Sequence, residues 1–284
     1  MLSNQRKGEM SVENISKSFG YHPFQQQVLK DVSFNLRDSK LTVLIGPSGC
    51  GKSTLINLLA GYDKPDEGRI TLNDIHISGP SSDRLVVFQE TALFPWMTTF
   101  DNVAYGPTVS RKLSRTEITE QVQTLLEKVG LLEFQSKYPS QLSGGMQRRA
   151  ELARLMINSP AVMFLDEPFR GLDAMTRELM QEYFVKLLEE QSQTVLFITS
   201  EIDEAIFMAD YLLIMTNRPG TIIKEMEIKL QRPRHKDMLN SGVYLDYKRE
   251  ALELLHAEAI KAFAGGSKAS QDFLEAFHKE HLEQ

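Results

Sequence analysis

The chain has 284 residues, 42% hydrophobic and 25% charged, enough for one large folded unit or a unit with appendages. A formal net charge of −6 speaks against a nucleic-acid binder, which would carry a basic face. The one cysteine, Cys50, excludes an internal disulfide and fits a reducing compartment; with no apolar leader in Met1–Lys7 and no run of about 20 apolar residues, work at a membrane would go through a partner.

In chain order, Met10 to Phe19 and Val28 to Leu36 alternate as strands do, and Leu41 to Ile45 is a short apolar run that ends at a glycine. It predicts a buried strand followed by a helix over Ser53–Ala60. Gly68–Leu72 and Ile75–Ile77 flank Asn73-Asp74 as a hairpin, and Arg84–Phe88 predicts another buried strand leading to Gln89. From Phe100 to Met156 the pattern is helical, broken at Gly130 and Pro139. Strand patterns return at Ala161–Leu165, Thr194–Ile198, Tyr211–Met215 and Thr221–Ile228, with a helix over about 177–190. This alternation predicts a mostly parallel α/β core with a helical insert, closed by Arg232-Pro233-Arg234. Beyond it, Leu252, Leu255, Ala259 and Phe263 form one helical stripe within Tyr244–Phe263. Gly265-Gly266-Ser267 breaks the pattern, and Phe273, Ala276 and Phe277 share a face after it.

Three segments carry chemistry. Gly46-Pro47-Ser48-Gly49-Cys50-Gly51-Lys52-Ser53-Thr54 fits the phosphate-loop pattern between a strand and a helix. Its glycines let backbone N–H groups face a nucleoside triphosphate, and the helix start adds its positive dipole end. Lys52 would reach the β- and γ-phosphates, and the Ser53 hydroxyl would ligate Mg2+. Cys50 reads either as a small residue at a variable position or as a thiol activated by the helix start. The apolar run Val162–Leu165 ends in Asp166, placed to hold Mg2+, and Glu167, placed to polarise an attacking water. Leu142-Ser143-Gly144-Gly145-Met146-Gln147 opens a helix with Ser143 as its cap and two glycines that leave N–H groups uncovered. The phosphate loop already serves the chain's own nucleotide, so this second anion site suggests a γ-phosphate brought by another subunit.

With these motifs, and with Arg148-Arg149-Ala150-Glu151-Leu152-Ala153-Arg154 after the hexapeptide, the chain resembles an ATP-binding-cassette ATPase subunit from about Met10 to Arg234. The resemblance implies a P-loop NTPase (RecA-like) α/β core with an antiparallel β subdomain and an inserted helical subdomain, to which the periodicity after Arg234 adds a helical C-terminal tail. The expected divisions are 1–91 with 160–231 for the core, 92–159 for the insert and 232–284 for the extension. It implies that Phe19 stacks on adenine, with core packing as the alternative. It implies that Gln89 senses Mg2+ and the attacking water, and that Leu172-Asp173 crosses a dimer interface. Ser143, Gly144, Gly145, Gln147 and Asp173 then join the phosphate loop as nucleotide contacts. Phe94 to Val103, with Phe94 and Trp96 in a loop, resembles the surface that grips a permease; core packing is again the alternative.

A finer resemblance, to importer subunits for nitrate, sulfonate, taurine and related solutes, rests on Asp166–Arg177, Glu201–Ala205, Asn217-Arg218-Pro219-Gly220 and Arg232–Arg234. It implies a homo- or heterodimer with two ATP and Mg2+ at the interface. The expected partners are integral-membrane permease subunits and, indirectly, an extracytoplasmic solute-binding protein. No nucleic acid is expected, and the location is the cytoplasmic face of the inner membrane. One departure stands out: Ser200 occupies the position where the family usually has a histidine near the γ-phosphate, so slow turnover, or a switch rebuilt on Ser200 or Thr199, is expected. Soluble cassettes of DNA repair, chromosome structure or ribosome rescue, and a slow regulatory cassette, are the alternatives. Arg148 and Arg149 read as surface or interface charges. His278 and His281, three apart, read as solvated rather than metal-binding. The solute is not written in this chain.

Overall fold

Alternating burial along Met10–Phe19 (β1) and Gln26–Leu36 (β2) gives a half-covered antiparallel ribbon. The computed structural model describes residues 8–264 apart from 22 and 192. After Leu41–Ile45 (β3) and the helix Lys52–Ala60 (α1), Glu67–Leu72 (β4) pairs antiparallel with β1. Ile75–His76 (β5) closes the expected hairpin on β4. This four-stranded sheet has the order β2-β1-β4-β5.

The second sheet has six strands. Arg84–Val87 (β6), Val162–Asp166 (β7), Thr194–Ile198 (β8) and Tyr211–Met215 (β9) run parallel with β3, and Ile222–Glu227 (β10) is antiparallel to β9. The order is β10-β9-β3-β8-β7-β6, so β3 and β8 are central. Every residue of both is buried, which explains why they read as unbroken apolar runs. Side chains alternate between two cores. Val43, Val195, Phe197 and Leu165 join one, and Leu44, Leu196, Ile198 and Phe164 join the other, shared with α1 and the antiparallel sheet. A short parallel bridge between Leu29 and Gly220 stitches the two sheets together, with Gly220 N donating to Val28 O and Lys30 N to Gly220 O.

Helices fill the span between β6 and β7: Thr99–Ser110 (α2), Arg115–Lys128 (α3) and Gly144–Met156 (α4). Thr98 caps α2, and a reciprocal Ser114–Glu117 capping box starts α3. The break at Arg111, in the left-handed region, lay outside the expected breaks at Gly130 and Pro139. Ala174–Gln191 (α5), Ile202–Met208 (α6) and Gly242–Ala264 (α7) complete the chain.

Three expectations need correction. β6 is an edge strand, not a buried one: it has a neighbour on one side only, stops at Val87, and leaves Phe88 exposed. Arg232-Pro233-Arg234 does not close the folded part. Arg234 is buried and donates to Ile206 O, Phe207 O and Ala209 O at the end of α6, and burial pushes its guanidinium down to about 10. Finally, α7 packs on α6 with Tyr244, Ala251 and Glu258 as its buried positions rather than with the expected stripe, of which Leu255 is partly buried against the core. Leu252 and Ala259 are exposed. Two of the buried positions are polar-tipped: the Tyr244 hydroxyl donates to Asp203 Oδ1 in α6, and Glu258 accepts from Asn217 N after β9. Phe273, Ala276, Phe277, His278 and His281 lie outside the described residues.

Candidate functional site: a phosphate loop facing two carboxylates

β3 runs out of the sheet into the loop Gly46–Gly51, and α1 starts at Lys52. Gly51 caps that helix with φ 112, and an added Cβ would lie 2.7 Å from the Leu29 side chain, so the turn needs glycine. Gly49, with φ +76, faces open space, leaving room for an anion beside the loop. The first N–H groups of α1 have no helical acceptor, as at any helix start. Lys52 is buried, its ammonium 2.8 Å from Gly46 O and 2.9 Å from Pro47 O.

Cys50 is fully buried, its sulfur 3.6 Å from Met215 Sδ. Burial pushes its thiol up, with Lys52 opposing. Burial and the Met215 contact fit a packing residue rather than an activated thiol.

The end of β7 lies next to the loop. Ser53 Oγ donates to Asp166 Oδ2 at 2.8 Å. Burial pushes the Asp166 carboxyl up from its ordinary value; the Ser53 hydrogen bond opposes this and the charge of Glu167 adds to it. A hydroxyl and a carboxylate at hydrogen-bond distance form the hard-oxygen pair that suits Mg2+, which takes its remaining ligands from water and phosphate. Glu167 sits in the left-handed region at φ 43, its N–H donating to Ile198 O. Its carboxylate is paired with Arg170 at 2.9 Å. Phe169 packs against Phe184 and Phe197.

A cleft of about 280 Å³ brings together Ser48, Lys52, Glu167, Arg170, Thr199 and Ser200, with Arg177 and Glu204 at its wall. Ser200 is therefore at the same cleft as the phosphate loop. Thr199 is buried, and its hydroxyl accepts from Glu201 N.

The helix start at Ser143 is not among the residues lining this cleft. Ser143 caps α4, accepting from Met146 N, and Ser143 and Gly144 are exposed. Gly145 is buried, and an added Cβ would meet the Thr176 methyl at 2.9 Å, so it serves packing against α5. The Gln147 amide is committed within its own chain, donating to Pro139 O and Leu142 O and accepting from Thr91 Oγ1. Asp173 accepts from Thr176 N at the start of α5, and hydrogen bonding by the Thr176 side chain, with its N–H second, lowers its carboxyl. Phe19 is half exposed at the end of β1, with Lys17 Nζ 5.4 Å from its ring centroid. Gln89 is exposed just after β6. Trp96 is 70% exposed and packs on Phe94, which in turn meets Tyr105, so the loop is not a core segment.

Residues 29–170 match the ABC transporter family. The chain is 43% identical to a taurine import ATP-binding protein of Ruegeria pomeroyi, over 77% of this chain and 82% of that one. It is 40% identical to a nitrate import ATP-binding protein of Synechococcus elongatus, over 88% and 92%. The chain belongs to the ABC transporter family. It is an ATPase of that family, similar in fold to a solved dimeric bacterial ABC transporter cassette (TM-score 0.68, 28% identity, 78% of this chain and all of that one). A second solved cassette, a dimer in a post-hydrolysis state bound to ADP and Pi, matches with the same TM-score at 27% identity, again over 78% of this chain and all of that one.

Within the cassette, of the two residues read from sequence as surface or interface charges, Arg148 is neither exposed nor solvated. Arg148 is buried, its NH1 donating to Phe88 O and its NH2 to Gln89 O. Its ion-pair partner Glu151, equally buried, accepts from Ala92 N. Arg149 is only partly buried and donates to Val129 O. Sequence alone offers only the three-residue spacing of opposite charges at Arg148 and Glu151, which a solvated helix face shares. Arg170 stands at the same spacing after Glu167.

Proposed function

We propose that this chain is the ATP-hydrolysing subunit of a membrane importer for a small solute of the nitrate, sulfonate or taurine kind. Two copies, or this chain and a related cassette, would sandwich two ATP between the phosphate loop of one and the Ser143–Gly145 helix start of the other. The observation that carries this reading is a division of labour: Lys52, Glu167 and Ser200 line one cleft, their chain neighbours Ser53 and Asp166 are hydrogen-bonded to each other, and Ser143 and Gly144 are exposed and not part of that lining. A helix start with free N–H groups attracts phosphate, and a second subunit can supply it.

In this reading Lys52 and the loop amides bind the β- and γ-phosphates, and Phe19 stacks on the base. Ser53, Asp166 and Gln89 hold Mg2+, which when bound neutralises charge on the transferring phosphoryl group. Glu167 takes the proton of the attacking water after its carboxylate leaves Arg170. Ser200 donates one hydrogen bond toward the γ-phosphate. Each γ-phosphate favours the closed dimer only through contacts it makes there, from Ser143 and the following amides. The exposed Phe94–Trp96 loop fits the permease, a solute-binding protein feeds that permease, and the cassette sits at the cytoplasmic face of the membrane. Among the described residues no helix is long and apolar enough to cross a membrane.

The test is the mass of the Glu167→Gln variant with Mg-ATP. Dimer formation with hydrolysis nearly stopped supports the reading; a monomer at every ATP concentration, alone and with its permease, removes it. The Glu167–Arg170 pair and Ser200 favour a second reading, a cassette that binds ATP and turns over slowly. Steady-state turnover of the permease-bound chain decides between the two.

A further inference from the structure

Helix α4 grips the segment that follows β6 at several points. Arg148 and Glu151 are 3% and 2% exposed. Arg148 donates to Phe88 O at 2.9 Å and to Gln89 O at 2.6 Å. Glu151 binds Arg148 with one oxygen and accepts from Ala92 N at 2.9 Å with the other. Thr91 Oγ1 donates to Gln147 Oε1, and Arg154 lies over the Phe94 ring at 5.3 Å. Thus the backbone on both sides of Gln89 is held by side chains of the helix that begins at Ser143. These are charge-assisted bonds in a dry setting, where they are stiff and where an unmatched group is costly.

We infer that Arg148 and Glu151 are positioning residues: they lock the Gln89 segment to α4, so that docking of the Ser143 helix start on a partner's phosphate and entry of Gln89 into its own Mg2+ site are one movement. This rests on the role given to Gln89 above. A purely structural ion pair would hold the insert together without linking those two events. The geometry favours linkage because the guanidinium fork and the carboxylate are spent on main-chain groups of Phe88, Gln89 and Ala92. Lysine cannot form such a fork, and an amide at 151 can keep the Ala92 bond but not the charge.

The test uses the full chain with Mg-ATP and compares Arg148→Lys, Glu151→Gln and Gln89→Ala, singly and combined. Arg148→Lys and Glu151→Gln are expected to lower kcat about 10–100-fold, as loss of orienting partners does, with KM for ATP nearly unchanged. The Mg2+ concentration for half-maximal rate should rise with them. In the Gln89→Ala background each should add little, because the residue they position is gone. Wild-type kcat in both single variants, or losses that multiply in the Gln89→Ala background, would overturn the inference. If Gln89→Ala itself retains full rate and Mg2+ dependence, the reading of Gln89 fails instead. Hydrogen exchange gives a readout without turnover: Mg-ATP should alter protection at Ala92 and at Gly144–Gly145 together in the parent chain and separately in Glu151→Gln. Independent changes in the parent chain would overturn the linkage even if one variant failed to fold.

Discussion

Ser53 Oγ and Asp166 Oδ2 lie 2.8 Å apart, joining the start of α1 to the end of β7. Both are hard oxygen donors, and Mg2+ asks for one or two such protein ligands with phosphate supplying others. Ser53→Ala should raise the Mg2+ concentration for half-maximal ATPase rate at least about tenfold, equivalent to about 1.4 kcal/mol. Asp166→Asn should raise it further because it also removes formal charge. A Mg2+ titration of both variants checks the order; unchanged half-saturation in Asp166→Asn excludes it as a ligand.

Ser200 shares the cleft with Lys52 and Glu167 but offers only a short neutral hydroxyl. An imidazole there would add a transition-state donor, and one such donor is worth about 10²–10³ in rate, which caps the gain. Ser200→His should therefore raise kcat of the permease-bound protein with little change in ATP affinity. Equal turnover in the two proteins would mean that the serine is no handicap.

Tyr244 docks α7 by donating to Asp203, which Lys248 also engages. Tyr244→Phe keeps the ring and deletes this bond to a charged acceptor. Urea unfolding should show a loss of about 1–2 kcal/mol. No change in midpoint would mean that ring burial alone holds the helix.

Glu204 is buried at the cleft wall and accepts from Gln181 Nε2. Burial pushes its carboxyl up, against hydrogen bonds from Thr199 and Gln181. A raised carboxyl contributes stability that is complete below the unfolded value near 4.5 and lost as pH climbs through the folded value. Glu204→Gln removes that dependence. Its Tm should fall less between pH 5 and pH 8 than that of the parent chain, and parallel falls in the two proteins would refute the assignment.

The core strands and phosphate loop were legible because their signals are contiguous: β3 and β8 are apolar throughout, and Gly46–Ser53 carries its own turn chemistry. Asp166 and Glu167 were legible because they end such a strand. Phe19, Gln89 and Asp173 came only from resemblance, since each is an exposed residue of ordinary type. Arg148 and Glu151 were opaque. A charged pair on a helix ordinarily faces water, and its burial depends on a segment some 60 residues earlier folding over it. Arg234 and the Tyr244–Glu258 face of α7 were missed for a related reason: hydrophobic counting overlooks polar tips that satisfy carbonyls or carboxylates deep in the fold.

The Leu29–Gly220 bridge lies directly behind the nucleotide loop, where a Cβ on Gly220 would fall 2.3 Å from Cys50 O. That weld makes the floor of the pocket an anvil: the antiparallel sheet and the parallel sheet are struck as one piece. Movement of α2–α4 relative to the two sheets would then turn on the two chain crossings that tether them, after Val87 and before Val162.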